Sequence, residues 1–121
     1  MFSFVRWAVL AFSLVLAWAG LVPLIHPDSA APTSMAPDLA WFHLFFSLLG
    51  FASFAVKKGA WAPWFAVGFG AIDLYQALAS ASGWFPIHEF RWTSLDNTIH
   101  WIVGTALVVL GLLGRLRRKA R

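Results

Sequence analysis

The sequence predicts an all-α integral membrane protein, a four-helix bundle in which each helix crosses the bilayer. Sixty per cent of the 121 residues are hydrophobic and only 12% are charged, which is too little polar surface for a soluble domain. Four apolar segments each approach the roughly 20 residues that cross a hydrocarbon layer about 30 Å thick. Backbone N–H and C=O groups in lipid must form hydrogen bonds with each other, because no water is present to accept or donate them. These segments should therefore be helices. In a single domain, 1–121, they cover about 2–25, 39–56, 60–81 and 95–116.

Basic residues predict the orientation of the bundle. Lys57 and Lys58 lie in the short turn between the second and third segments, and a basic cluster follows the fourth. Cytoplasmic helix ends carry such residues. We therefore expect both termini on the cytoplasmic side of a bacterial inner membrane, with the longer loops 26–38 and 82–94 outside. The expected cytoplasmic anchors are Lys57, Lys58, Arg115, Arg117 and Arg118. Basic residues placed at helix ends do not indicate a nucleic-acid partner.

The first segment has a second interpretation. Arg6, an apolar stretch and then Ala17-Trp18-Ala19 resemble a signal peptide with a small-residue cleavage site. The apolar run, however, continues as far as Ile25. We therefore expect the first segment to be an uncleaved transmembrane helix.

Two stretches of the chain are similar to each other. Pro23-Leu24-Ile25-His26 at the end of the first helix resembles Pro86-Ile87-His88 after the third. Such a repeat would make the protein two tandem helical hairpins related by an axis along the membrane normal. Coincidence in a chain with few residue types is the alternative. Each stretch precedes an acidic residue and then a histidine: Asp38 with His43, and Asp96 with His100.

Small residues at helical spacing predict where the helices touch. Lipid gives no hydrophobic drive between helices, so close backbone approach and polar contacts must hold them together. The expected packing positions are Ser47, Gly50, Gly70, Gly104 and Gly111.

Polar residues inside the apolar segments predict a buried network. Asp73 lies about eight residues from the outer end of its helix, or roughly 12 Å at 1.5 Å per residue. A carboxylate at such depth is unfavourable by about 3 kcal/mol and needs a partner or a proton. His43 and His100 lie at similar depth, so a histidine is the expected partner. The predicted network is His43, Asp73, Tyr75, Gln76, Asn97 and His100.

Other uses of these residues remain open. Four histidines on one side could bind zinc or copper, the candidate ligands being His26, His43, His88 and His100. His43 and His100 could instead hold a b-type haem from facing helices, and Asp73 could line a proton or solute path. The chain has no cysteine and no Gly-x-Ser-x-Gly elbow, so we assign no catalytic residue, and the sequence favours a non-enzymatic role without deciding the point.

The run Asp96-Asn97-Thr98-Ile99-His100, followed by Gly104, resembles a signature of small bacterial four-helix membrane proteins. That family is of unknown function and is distantly similar to DoxX-like proteins. Its earlier related helix is similar to the segment with Asp38, His43 and Gly50. The resemblance implies the four-helix fold and an inward position for Asp96, Asn97 and His100, and it implies no reaction.

These observations favour an accessory or structural subunit of a larger membrane complex, respiratory or photosynthetic. Eight tryptophans and twelve phenylalanines offer a broad lateral surface to other membrane subunits, to the lipid bilayer, or to surface-bound lipids and pigments. The two alternatives are a metal- or haem-binding membrane protein that uses the outer histidines and a small transporter centred on Asp73.

Overall fold

The computed structural model describes residues 2–27 and 30–120, with the side chains of 4–27 and 30–115. This part of the chain is helical, without strands, which confirms the all-α prediction. Four helices are long and one is short. They are α1 (Phe2–Ile25), α2 (Pro37–Ala55), α3 (Ala62–Ser82), the four-residue α4 (Ile87–Phe90) and α5 (Ser94–Ala120).

Three of the described helices are long and apolar enough to cross a membrane. They cover Phe4–Ile25, Pro37–Gly59 and Ser94–Arg115. The fourth long helix, α3, is 21 residues long but carries Asp73, Tyr75 and Gln76 in its second half, which lowers its mean hydropathy. The chain is therefore built as a membrane protein with at least three helices of spanning length and composition.

The helix boundaries differ modestly from those predicted. Helix α2 begins at Pro37, because proline is well tolerated in the first turn, where its missing N–H is not needed. Helix α3 has Pro63 near its start for the same reason. Helix α5 continues to Ala120, past the predicted end at 116. The predicted loop 82–94 contains α4, which hydropathy alone did not indicate.

A compact turn reverses the chain between α2 and α3. Val56–Gly59 forms a 3₁₀ turn in which Lys57 and Lys58 adopt left-handed backbone angles, with φ of 51° and 56°. Gly59 also has positive φ and packs against the stem of Arg6. We call this end of the bundle the lysine end, and the opposite end, formed by residues 30–36 and 83–93, the loop end.

The helices pack as two pairs, α1 with α2 and α3 with α5, and contacts between the pairs are fewer. Gly70 and Gly104 allow the closest approach within the second pair. A Cβ atom at Gly70 would lie 2.8 Å from the Gly104 carbonyl oxygen, and one at Gly104 would lie 3.0 Å from that of Gly70. Such close contact lets dispersion forces hold the helices together, because lipid provides no hydrophobic driving force for helix association.

Aromatic side chains join the two pairs in the middle of the bundle. Phe69 on α3 is almost fully buried and meets rings from α1, α2 and its own helix at centroid distances of 4.9–6.0 Å. These separations suit aromatic pairs, of which three are tilted and the Phe65–Phe69 pair is stacked. Its partners are Phe12, Phe42, Phe46 and Phe65.

Candidate functional site

A capping box begins α5 at the loop end. The backbone N–H of Thr93 donates to Asp96 Oδ2 (2.8 Å), and the N–H of Asp96 donates to Thr93 Oγ1 (3.2 Å). A hydroxyl residue and an acidic residue three positions apart thereby satisfy two N–H groups that a helix start leaves without intrahelical partners. The same carboxylate lies near the positive end of the helix dipole.

Asp96 also ties the two loops together. Its Oδ2 accepts a hydrogen bond from the backbone N–H of Ser34 (2.8 Å), in the loop that precedes α2. The Ser34 hydroxyl donates to the Phe90 carbonyl, and the Thr93 hydroxyl lies 2.7 Å from the Pro32 carbonyl. Asp96 is only 8% exposed, so this cross-link is shielded from water. We call Ser34, Thr93 and Asp96 the loop latch.

Asp73 has a partner on its own helix. Gln76 Nε2 donates to Asp73 Oδ1 (3.1 Å), and Trp92 Nε1 donates to Gln76 Oε1 (3.1 Å). Residues three apart lie on one helix face, and Asp73 and Gln76 are both buried. The expectation that a histidine hydrogen-bonds Asp73 therefore gives way to a Trp92–Gln76–Asp73 chain, which links α3 to the loop before α5.

Four titratable residues meet around one cavity of about 250 Å³ at the loop end. The cavity lies between the helix pairs, and α1 contributes much of its apolar wall. His43 on α2 interacts electrostatically with His100 and Asp96 and approaches the Ala19 carbonyl. His100 is buried, and its Nδ1 has no hydrogen-bond partner. The polar residues of the wall include His43, Asp73, Asp96 and His100.

Other predicted network members lie outside this hydrogen-bonded chain. Tyr75 is exposed, and its hydroxyl donates to the Phe85 carbonyl (2.8 Å) instead of joining Asp73. Asn97 is half-buried, and its buried Oδ1 has no partner. The structure thus brings His43, Asp73 and His100 to one cavity, connects Gln76 to Asp73, and leaves Tyr75 on a different face of α3.

The metal-ligand candidates separate into two groups. His43 and His100 share the cavity, whereas His26 and His88 are exposed and do not line it. Among the described residues, no group of three or more histidine, aspartate or glutamate side chains is placed to hold a metal ion. The metal and haem alternatives remain predictions.

Four of the five predicted packing positions lie at close contacts between helices. Gly50 faces Ser13 on α1, and Ser47 on the same helix is buried, with its hydroxyl donating to the Leu44 carbonyl. Gly111 packs on Pro63 and Val67 of α3. With Gly70 and Gly104 already described, the four glycines lie where neighbouring helices approach closely, whereas the Ser47 hydroxyl is bonded within its own helix.

Basic side chains share the lysine end. Arg6 Nε donates to the Phe54 carbonyl (3.0 Å), and its guanidinium stands 4.4 Å from the centroid of the Phe54 ring. Arg115 stands 3.7 Å from the Trp64 ring centroid, a cation–π arrangement. Lys57 and Lys58 occupy the turn beside them. The side chains of the other two predicted anchors, Arg117 and Arg118, lie outside the described residues.

Sequence reasoning missed Ser34, Thr93 and Trp92 as members of this site. A signal for one of them was present, because Thr93-Ser94-Leu95-Asp96 has the spacing of a capping box before an apolar run. The chain matches no protein-family model, no curated protein and no solved structure. The resemblance to the small four-helix membrane proteins therefore stays a prediction.

Proposed function

We propose that the protein crosses a bacterial inner membrane four times, with both termini in the cytoplasm. Packing of α3 along α5 supports this number of passes. Pro63 and Val67 lie beside Gly111, while Gly70 and Asp73 lie beside Gly104. A helix that contacts a spanning helix over this length must occupy the same depth, and Asp73 and Gln76 are accommodated because they are buried in the bundle interior.

Exposed tryptophans also support four passes through the membrane. Trp7, Trp61 and Trp64 stand toward the lysine end, and others stand toward the loop end. Tryptophan is enriched at the two membrane–water interfaces, where an apolar ring and a polar N–H are both accommodated. The exposed tryptophans toward the loop end are Trp18, Trp41, Trp84 and Trp101.

We further propose that this bundle acts as an accessory subunit of a larger membrane complex. The observation that carries this proposal is the lateral surface, where large apolar side chains on every long helix are exposed. The parts outside the long helices are short and, at the loop end, bonded to each other through the loop latch. The lateral surface is thus the main surface available to a partner, and contiguous apolar area of this kind marks contact with lipid or protein.

The number and direction of the membrane passes are tested by cysteine labelling. This method suits the protein because its sequence contains no cysteine that would have to be removed. Single variants Lys58→Cys and Glu89→Cys are expressed in cells and exposed to a membrane-impermeant maleimide. We expect labelling of Glu89→Cys in intact cells and of Lys58→Cys only after the membrane is opened. Labelling of both from the same side would contradict four alternating passes.

The subunit proposal is tested with a photo-crosslinking amino acid at exposed positions on different helices. Leu48 on α2 and Ile102 on α5 are 66% and 65% exposed, so substitution leaves the core intact. We expect one position to form a defined adduct with another membrane protein, while the other forms lipid adducts. Only lipid adducts at both positions and along their helix faces, together with purification as a lone monomer in mild detergent, would contradict the proposal.

A further inference from the structure

The cavity between the helix pairs has an opening toward lipid. Val15 and Trp18 on α1 and Ile99 on α5 line it, yet their side chains are 57%, 69% and 40% exposed on the outside of the bundle. Residues that belong both to a cavity wall and to the lateral surface form the rim of an entrance. This entrance lies where α1 and α5 make few contacts, so a molecule would reach the cavity from the hydrocarbon layer.

The size of the cavity limits what can enter. Its volume is about 250 Å³, whereas an apolar cavity of about 150 Å³ is enough to bind benzene. One six-membered ring with a small substituent would therefore fit. Phe12, Leu16 and Val103 form apolar wall, against which an aromatic ring would pack.

Two imidazoles give the cavity a polar end. His43 and His100 lie in its wall and come from different helices. An imidazole offers both a donor and an acceptor nitrogen, and a hydroxyl group can do the same. A ligand hydroxyl that reaches an imidazole nitrogen in the wall can therefore donate to it or accept from it.

Asp96 limits the charge of the ligand. Asp96 is engaged by the loop latch, and Asp73 accepts from Gln76. An anionic ligand would meet the Asp96 carboxylate without a lysine or arginine in the described wall to balance it, and a charged molecule would also be expensive to transfer into the hydrocarbon layer. A neutral molecule avoids both penalties.

We propose that this cavity binds a neutral, membrane-dissolved aromatic alcohol, a molecule of the phenol class, with its ring against the α1 and α5 wall and its hydroxyl at His43 and His100. This binding is independent of the accessory-subunit role. A lipid acyl chain and ordered water are the competing occupants, and both lack the combination of ring and hydroxyl that the wall fits.

The test compares two probes of nearly equal size, 4-fluorophenol and fluorobenzene, by ¹⁹F NMR titration of the purified protein in detergent, with empty micelles as the blank. We expect saturable binding of both, about tenfold tighter for 4-fluorophenol because only it has the hydroxyl. Equal affinity of the two probes, or no saturable binding above the blank, would overturn the proposal. This comparison of the two affinities needs only the unmodified protein.

Variants then locate the binding. His100→Phe keeps a ring but removes the nitrogens, so 4-fluorophenol should lose its roughly tenfold advantage while fluorobenzene still binds. Val103→Phe fills the cavity and should abolish binding of both probes. Ile102→Phe, the adjacent lipid-facing position, is the matched control and should bind both normally. Unchanged binding to Val103→Phe would place the probes elsewhere and refute the site, as would native mass spectrometry that finds a lipid retained until Val103→Phe expels it.

Discussion

Replacing Asp96 with alanine should destabilise the bundle more than its position at a helix end suggests. The carboxylate accepts hydrogen bonds from the Thr93 N–H and the Ser34 N–H, both at 2.8 Å, and lies 3.0 Å from the Thr93 hydroxyl. One substitution therefore weakens the start of α5 and the connection between the two loops together.

The magnitude follows from these bonds. Loss of a helix cap is unfavourable by about 0.5–2 kcal/mol, and hydrogen bonds to a charged group contribute about 1.5–3 kcal/mol. The Thr93 bond belongs to both estimates, so they are not simply added. We expect Asp96→Ala to lower the free energy of unfolding by about 3 kcal/mol. Asp96→Asn keeps an acceptor without the charge and should lose about 1 kcal/mol.

The assay is reversible unfolding in mixed detergent and dodecyl sulfate micelles, followed by circular dichroism. Asp38→Ala is the matched control, because Asp38 is exposed in the first turn of α2 and α2 has no side-chain cap bond. Only its interaction with the helix dipole is lost, about 0.3–1 kcal/mol. If Asp96→Ala is no more destabilising than Asp38→Ala, the loop latch does not stabilise the bundle and the reasoning fails.

Two further substitutions test the interior with the same unfolding assay. Gly70→Ala should destabilise by about 1–3 kcal/mol through overpacking against α5, whereas Gly68→Ala, which meets open space, should be neutral or stabilising by up to about 1 kcal/mol; equal effects would argue against close contact of α3 with α5. Gln76→Leu should destabilise by about 1–3 kcal/mol because it leaves Asp73 and Trp92 without partners, and a stability within error of wild type would rule out the Trp92–Gln76–Asp73 chain.

The helices could be read from the sequence because lipid imposes a simple rule on length and apolarity. The rule works less well for α3, where Asp73 and Gln76 lower the hydropathy although the helix is as long as its neighbours. Hydropathy also does not indicate α4, a helix of only four residues that directly follows Pro86. Short elements are set by local turn geometry and contacts, which a hydropathy pattern does not contain.

The candidate site was predicted by depth, and depth alone was insufficient. At 3.6 residues per turn, Tyr75 lies about 200° around α3 from Asp73, whereas Gln76 returns to within about 60°. The angular positions around the helix therefore could have placed Tyr75 on a different face from Asp73 and suggested Gln76 as the partner of Asp73. The cavity could not be foreseen in this way, because it depends on how far α1 stands from α5, and that distance is decided by packing of the whole bundle.

Pairing of neighbouring helices has a consequence for how the chain is made. Arg6 reaches the Phe54 carbonyl and packs on Gly59, so the first hairpin has all of its own contacts once residue 59 has left the ribosome. The second hairpin can close only after α5 is synthesised, and Ser34 then finds Asp96 across 62 residues of chain. Biogenesis would thus end with the docking of two preformed halves, and a defect in that last step would leave inserted but unjoined hairpins for quality-control proteases to remove.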